Sequence, residues 1–154
     1  MRAGLFNLSL QNTREDIVRA FLEGVALNTR WLMGPVQKLL RRPVETVNLV
    51  GGGGSSAVWC QIFADVLGVE VRQVKDPIQA NARGAAWIAA VGLGEIGFAD
   101  VPELQHVFEP QAVNCAVYDG CYRTFLEIHQ RMRPLYRRVN RDTPLRPGGA
   151  RGAT

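Results

Sequence analysis

Apolar positions along this chain follow two periods, and the changes between them mark the elements. Residues Gly4–Leu10 follow neither period and read as an irregular or extended lead-in. Thr13, with Asp16 three positions on, is an N-cap signature of the Ser/Thr-x-x-acid type and predicts a helix from about Arg14. Ile17, Ala20, Phe21, Gly24, Val25 and Trp31 give that helix one broad apolar side. Gly34-Pro35 is expected to kink or end it, although Val36, Leu39 and Leu40 can carry it further. Thr46–Val50 is short, β-branched and apolar, and reads as a buried strand. Gly51, Gly52, Gly53 and Gly54 follow at once, then Ser55 and Ser56.

Trp59, Ile62, Phe63, Val66 and Leu67 recur at the spacing of one helical face, and Gly68 stops that helix. Val69–Val74 alternates and predicts a second strand, broken by Asp76-Pro77. Gln79–Leu93 predicts a helix whose small face (Ala82, Gly84, Ala85, Ala86, Ala89, Ala90) is expected to let a neighbouring backbone approach closely. Residues 94–112 read as loop with one short turn near Val101–Gln105. A last helix begins near Val113, with Tyr118, Cys121, Tyr122, Phe125, Ile128, His129, Met132, Leu135 and Val139 on one stripe and a bend at Pro134. From Asp142 the chain turns to Pro, Gly and Arg, and residues 142–154 are expected to be a disordered tail.

Strands alternating with helices predict an α/β fold with a parallel pair joined by a crossover helix. A sheet of only those strands is a poor core for so many amphipathic helices, and both of its edges would be bare. Strands are therefore expected to be missing: the chain is a piece of a larger domain or depends on a partner.

A length of 154 residues suits one domain or part of one, and 47% apolar with 21% charged residues is a globular profile. No apolar run reaches the roughly 18 residues of a membrane helix and the N-terminus lacks a secretory h-region. A soluble, cytoplasmic protein without a membrane partner is expected. The net charge of +4 is almost all arginine, with Lys38 and Lys75 the only lysines. Arg131, Arg133, Arg137, Arg138, Arg141 and Arg146 are the densest run. Without a recognition-helix pattern or interleaved aromatics they read as a solvated helix face, and no nucleic-acid partner is expected. Cys60, Cys115 and Cys121 are odd in number and form no C-x-x-C pair, so each reads as a small core residue and no zinc site is expected. His129 falls on the apolar stripe as a core histidine, and His106 reads as a solvated loop residue.

The glycine run between strand and helix is the feature with chemical potential. Glycines let a ligand approach the main chain, and the helix that follows offers unpaired N–H groups to an anion. A flexible turn that binds nothing is the bland alternative. A P-loop is excluded, because no Lys-Ser/Thr pair follows. A Rossmann loop fits Gly51 and Gly53 as G-x-G, but its third glycine position is Ser56, and Glu70 lies inside the second strand.

Trp59, Gln61, Ala64, Asp65, Val66 and Gly68 after the glycine run, then Ala82, Gly84, Ala85 and Ala86, resemble the C-terminal domain of the FGGY family of carbohydrate kinases, within it the xylulokinase branch. Leu8–Leu10, Thr13-Arg14, Arg19-Ala20 and Leu22–Ala26 upstream are similar to that family too, as are Ala116–Asp119 and Arg133–Tyr136 downstream. The resemblance implies the C-terminal segment of an actin-like, ribonuclease-H-like ATPase domain, a short parallel sheet flanked by helices. It would span residues 1–141 on the ATP-binding side.

The activity implied is ATP-dependent phosphorylation of a sugar hydroxyl. Gly51, Gly52, Gly53 and Gly54 would lie against the nucleotide's phosphates and ribose, Ser56 near the adenosine, and Gly84 would permit tight helix packing behind the site. Gly54 and Ser55 depart from the family's alanine and basic residue, and Arg83 from its apolar or aromatic one. The general base, the sugar-binding domain and the magnesium ligands would lie outside this chain, which would be inactive alone and would join an N-terminal fragment or self-associate. Asp65 reads as a cap or packing residue and Asp76 as a turn residue, so no catalytic residue is expected here. A non-catalytic nucleotide-binding or interaction module, or a kinase remnant, is the competing class.

Overall fold

The computed structural model describes residues 4–97 and 103–140. Helix α1 spans Arg14–Leu40, strand β1 Thr46–Leu49, α2 Ala57–Leu67, β2 Glu70–Val74, α3 Ala80–Gly92, β3 Leu104–Phe108 and α4 Ala112–Val139. The expected tail from Asp142 lies outside the described residues.

α1 starts where the capping pattern placed it. Thr13 Oγ1 accepts from the Asp16 N–H at 3.2 Å, and the Asp16 carboxylate accepts from the Thr13 N–H at 2.9 Å. These bonds hold the Asp16 carboxyl below the usual carboxylate range. The helix runs through Gly34-Pro35 without a break, and α4 likewise continues through Pro134.

β1 and β2 are parallel, with Val47 opposite Val71 and Leu49 opposite Gln73, and α2 is the crossover between them. The residues expected to be loop contain a strand: β3 pairs antiparallel with β2, giving the order β1-β2-β3. One of the two expected bare edges is therefore covered. His106 lies in this strand and is exposed, where a loop had been expected. The pairing shifts register between Gln73 and Val74, and both of those residues are buried, which breaks the alternation of β2.

α2 is the centre of the core. Cys60 and Ile62–Leu67 are all buried, a helix enclosed on every side from its second turn on. It packs on α1, on α4 and on the inner face of the sheet, where Val47, Leu49, Val71 and Phe108 meet it. On the outer face of the sheet Thr46 and Asn48 are exposed and their partners Glu70 and Arg72 half-buried.

α1 presents Leu22, Ala26, Leu27 and Met33 to this core. Phe21, Val25 and Trp31, expected on its inner side, are exposed. Phe21 and Val25 line a groove of about 570 Å³ against Phe125, Ile128 and Met132 of α4. Polar clips join the two helices outside this groove. Tyr118, buried on α4, donates to Glu23 Oε1 at 2.8 Å and accepts from Arg19 at 3.1 Å. Arg30 pairs with Asp119 at 2.5 Å and lies over the Tyr122 ring.

Other expectations need correction. α3 has no buried residue, and a Cβ added at Gly84 would meet nothing within 4 Å. The small face of α3 is therefore not closely packed by the described residues. Of the cysteines only Cys60 is core; Cys115 is half-buried and Cys121 exposed, because the α4 stripe is wider than the surface that covers it. His129 is half-buried with its ring 4.5 Å from that of Trp31. Arg131, Arg133, Arg137 and Arg138 are exposed along α4, as expected of a solvated face.

Candidate functional site

The glycine run leaves β1 and enters α2 through a single 3-10 turn over Gly52–Ser55. Its residues do different work. Gly51 has φ +81° and ψ −172°, a conformation that only glycine adopts without strain, and its N–H donates to the Pro77 carbonyl at 2.7 Å. A Cβ at Gly53 would fall 2.5 Å from the Trp59 ring, so this residue lies flat on the indole. Gly54 is buried, and a Cβ there would meet the Leu49 carbonyl oxygen at 2.9 Å and Pro77 Cβ at 3.0 Å. Only Gly52 is exposed with nothing within 4 Å of an added Cβ.

Below the turn the supports are explicit. The Trp59 indole donates to the Leu22 carbonyl of α1 at 3.1 Å, and Gln73 of β2 donates to the Gly54 carbonyl at 2.6 Å. Asp76, with φ +47°, makes the turn that brings Pro77 against the loop. Ser56 is the N-cap of α2, its Oγ accepting from the Trp59 N–H at 3.3 Å. The N–H groups of Gly52, Gly53, Ala57 and Val58 find no backbone acceptor among the described residues. The loop therefore offers donors and helix-dipole charge on an open side, the chemistry of an anion site.

Asp65, the buried carboxylate of α2, is fully engaged inside the fold. Asp65 is 4% exposed, and its oxygens accept from Gln61 at 2.9 Å, from the Gln111 N–H at 2.8 Å and from Asn114 at 2.8 Å. It caps the N-terminus of α4 from across the core, a partnership between distant segments that the sequence pattern could not show. Burial pushes the Cys60 thiol up, away from the reactive thiolate. Among the described residues no group of three or more His, Cys, Asp or Glu could hold a metal ion, and no helix is long and apolar enough to cross a membrane.

Residues 1–93 match the family model described as the FGGY family of carbohydrate kinases, C-terminal domain. The chain is 29% identical over 143 residues to a xylulose kinase of Staphylococcus epidermidis, covering 88% of this chain and 28% of that protein. It is 34% identical over 142 residues to a ribulokinase of Mycolicibacterium smegmatis, covering 85% and 24%. The crystal structure of xylulose kinase from Rhodospirillum rubrum superposes with a TM-score of 0.71 at 33% identity, over 85% of this chain and 27% of that one. The chain thus spans under a third of each relative.

Proposed function

The chain belongs to the FGGY family of carbohydrate kinases and has the fold of its actin-like ATPase domain, and from that premise we propose that it supplies the adenosine- and phosphate-binding half of an ATP-dependent, xylulokinase-like sugar kinase. The observation that carries the reading is Gly52. Gly51, Gly53 and Gly54 each have a reason inside the protein, whereas nothing among the described residues calls for a glycine at Gly52. A ligand approaching the main chain does.

In this reading residues 1–141 form the ATP-binding side, and Gly51–Gly54 with Ser56 border the nucleotide. Ser56 has its oxygen engaged as a cap and keeps a hydroxyl proton to donate. Phosphoryl transfer depends on positioning and on electrostatic stabilisation, so this chain's part is to bind and orient through backbone N–H groups. Magnesium would neutralise phosphate charge. The donors beside the loop are amides rather than carboxylates and do not fit that ion, so its ligands, the general base and the sugar site are assigned to the partnering N-terminal region. A cytoplasmic setting follows from ATP as substrate.

The test is complementation. This chain is purified with and without an N-terminal fragment of a xylulose kinase, and MgATP-dependent phosphorylation of D-xylulose is measured together with mass in solution. Activity only in the mixture supports the proposal. Activity of the chain alone sinks the division of labour, and failure of the mixture favours the non-catalytic module.

A further inference from the structure

Gln73 lies within β2 with 3% of its surface exposed, and the mechanism above does not use it. Its Nε2 donates to the Gly54 carbonyl at 2.6 Å. A carbonyl can only accept, so this bond fixes the orientation of the side-chain amide and turns Oε1 the other way. There Oε1 is buried and has no hydrogen-bond partner among the described residues. An unpaired amide oxygen in the interior is destabilising, and a hydrocarbon of similar length would avoid it. The advantage of glutamine must lie at its donor end.

That end holds the glycine turn. The Gly54 carbonyl belongs to the Gly52–Ser55 turn, and peptide groups within a turn are aligned, so anchoring the carbonyl sets the direction of the donors ahead of it. The Gly51 N–H is tied to the Pro77 carbonyl at 2.7 Å, so the segment from β2 to Pro77 holds the loop on both sides of Gly52 and Gly53. Cys60 Sγ, 3.7 Å from the Gly54 carbonyl, is only a weak second donor.

We infer that Gln73 is a positioning residue for the glycine loop: its amide locks the Gly52–Ser55 turn in the orientation that leaves the Gly52 face open to ligand. The consequence for nucleotide rests on the function proposed above; the consequence for loop order does not. Gln73→Met removes the donor and keeps the length. In the full chain, hydrogen exchange is followed at the Gly51, Gly54 and Ser56 amides and at Ile62–Val66 of α2, and MgATP is titrated. Loop exchange should rise about tenfold with α2 unchanged, and MgATP affinity should fall about tenfold, the worth of one buried hydrogen bond. Unchanged loop exchange overturns the inference, as does a parallel rise in α2, which marks general loosening. If the unaltered chain binds no MgATP, the nucleotide reading fails and the exchange comparison alone decides the role of Gln73.

Discussion

Gly52 and Gly54 are two residues apart in one turn, and the structure assigns them opposite responses to the same kind of change. At Gly52 an added Cβ meets nothing within 4 Å, and its φ is not in the left-handed region. Gly52→Val should therefore leave stability within about 0.5 kcal/mol of the parent, like other surface changes away from special features. Ligand binding should respond differently. A valine side chain holds a phosphate or ribose oxygen off the main chain and forfeits a hydrogen bond to a charged group, worth about 1.5–3 kcal/mol. MgATP affinity should fall by about ten- to hundredfold. At Gly54 a Cβ would sit 2.9 Å from the Leu49 carbonyl oxygen and 3.0 Å from Pro77 Cβ. Gly54→Ala should therefore destabilise by about 1–3 kcal/mol through overpacking. Thermal unfolding and isothermal MgATP titration on both variants separate the two effects. In a reassembled kinase Gly52→Val should raise KM for ATP and leave that for sugar. Unchanged ATP affinity in a folded Gly52→Val protein would show that the loop is only a turn.

The clips between distant segments give further tests. Tyr118→Phe removes the hydroxyl that donates to Glu23 and accepts from Arg19, and should cost about 1–2 kcal/mol in chemical denaturation. Burial, then the Glu23 carboxylate, raises the Tyr118 pKa, so its contribution is complete below the unfolded value and declines as pH rises from about 10 towards the folded value; the phenylalanine variant should lose this part of the alkaline sensitivity. Asp65→Ala strips three donors of their acceptor, those of Gln61, Gln111 and Asn114, and should destabilise by about 2–4 kcal/mol. If Asp65→Ala left stability intact and abolished phosphotransfer in the reassembled kinase, the assignment of Asp65 as a cap would be wrong.

Elements whose signals are local could be read from the sequence. The Thr13–Asp16 box, the Gly68 stop and the β1–α2–β2 crossover each follow from neighbours in the chain. β3 could not be read, because Leu104–Phe108 lacks alternation: its middle residues are exposed, and the register shift opposite Gln73 and Val74 interrupts any period. The apolar side of α1 was visible but not its direction. Phe21 and Val25 face the groove to α4, while Leu22, Ala26 and Leu27 face α2. Pattern alone cannot choose between two faces that are both apolar. The glycine run was legible as the turn from strand to helix but not as four separate roles, since the reasons for Gly53 and Gly54 are Trp59 and Leu49 seen in space.

The remaining edge of the sheet ties completion of the fold to the site. β3 covers β2, so the open edge among the described residues is that of β1. β1 is short, and Gly51 begins the loop two residues after its last residue, Leu49. The Leu49 carbonyl group is also the surface against which Gly54 packs. A strand added beside β1 would hold Leu49 in place and, through it, the floor under the glycine turn. On the other side, Gln73 and Pro77 of the β2 segment already hold that turn. Under the proposed division of labour, a complementing fragment that pairs with β1 would also order the glycine loop from the side left open among the described residues.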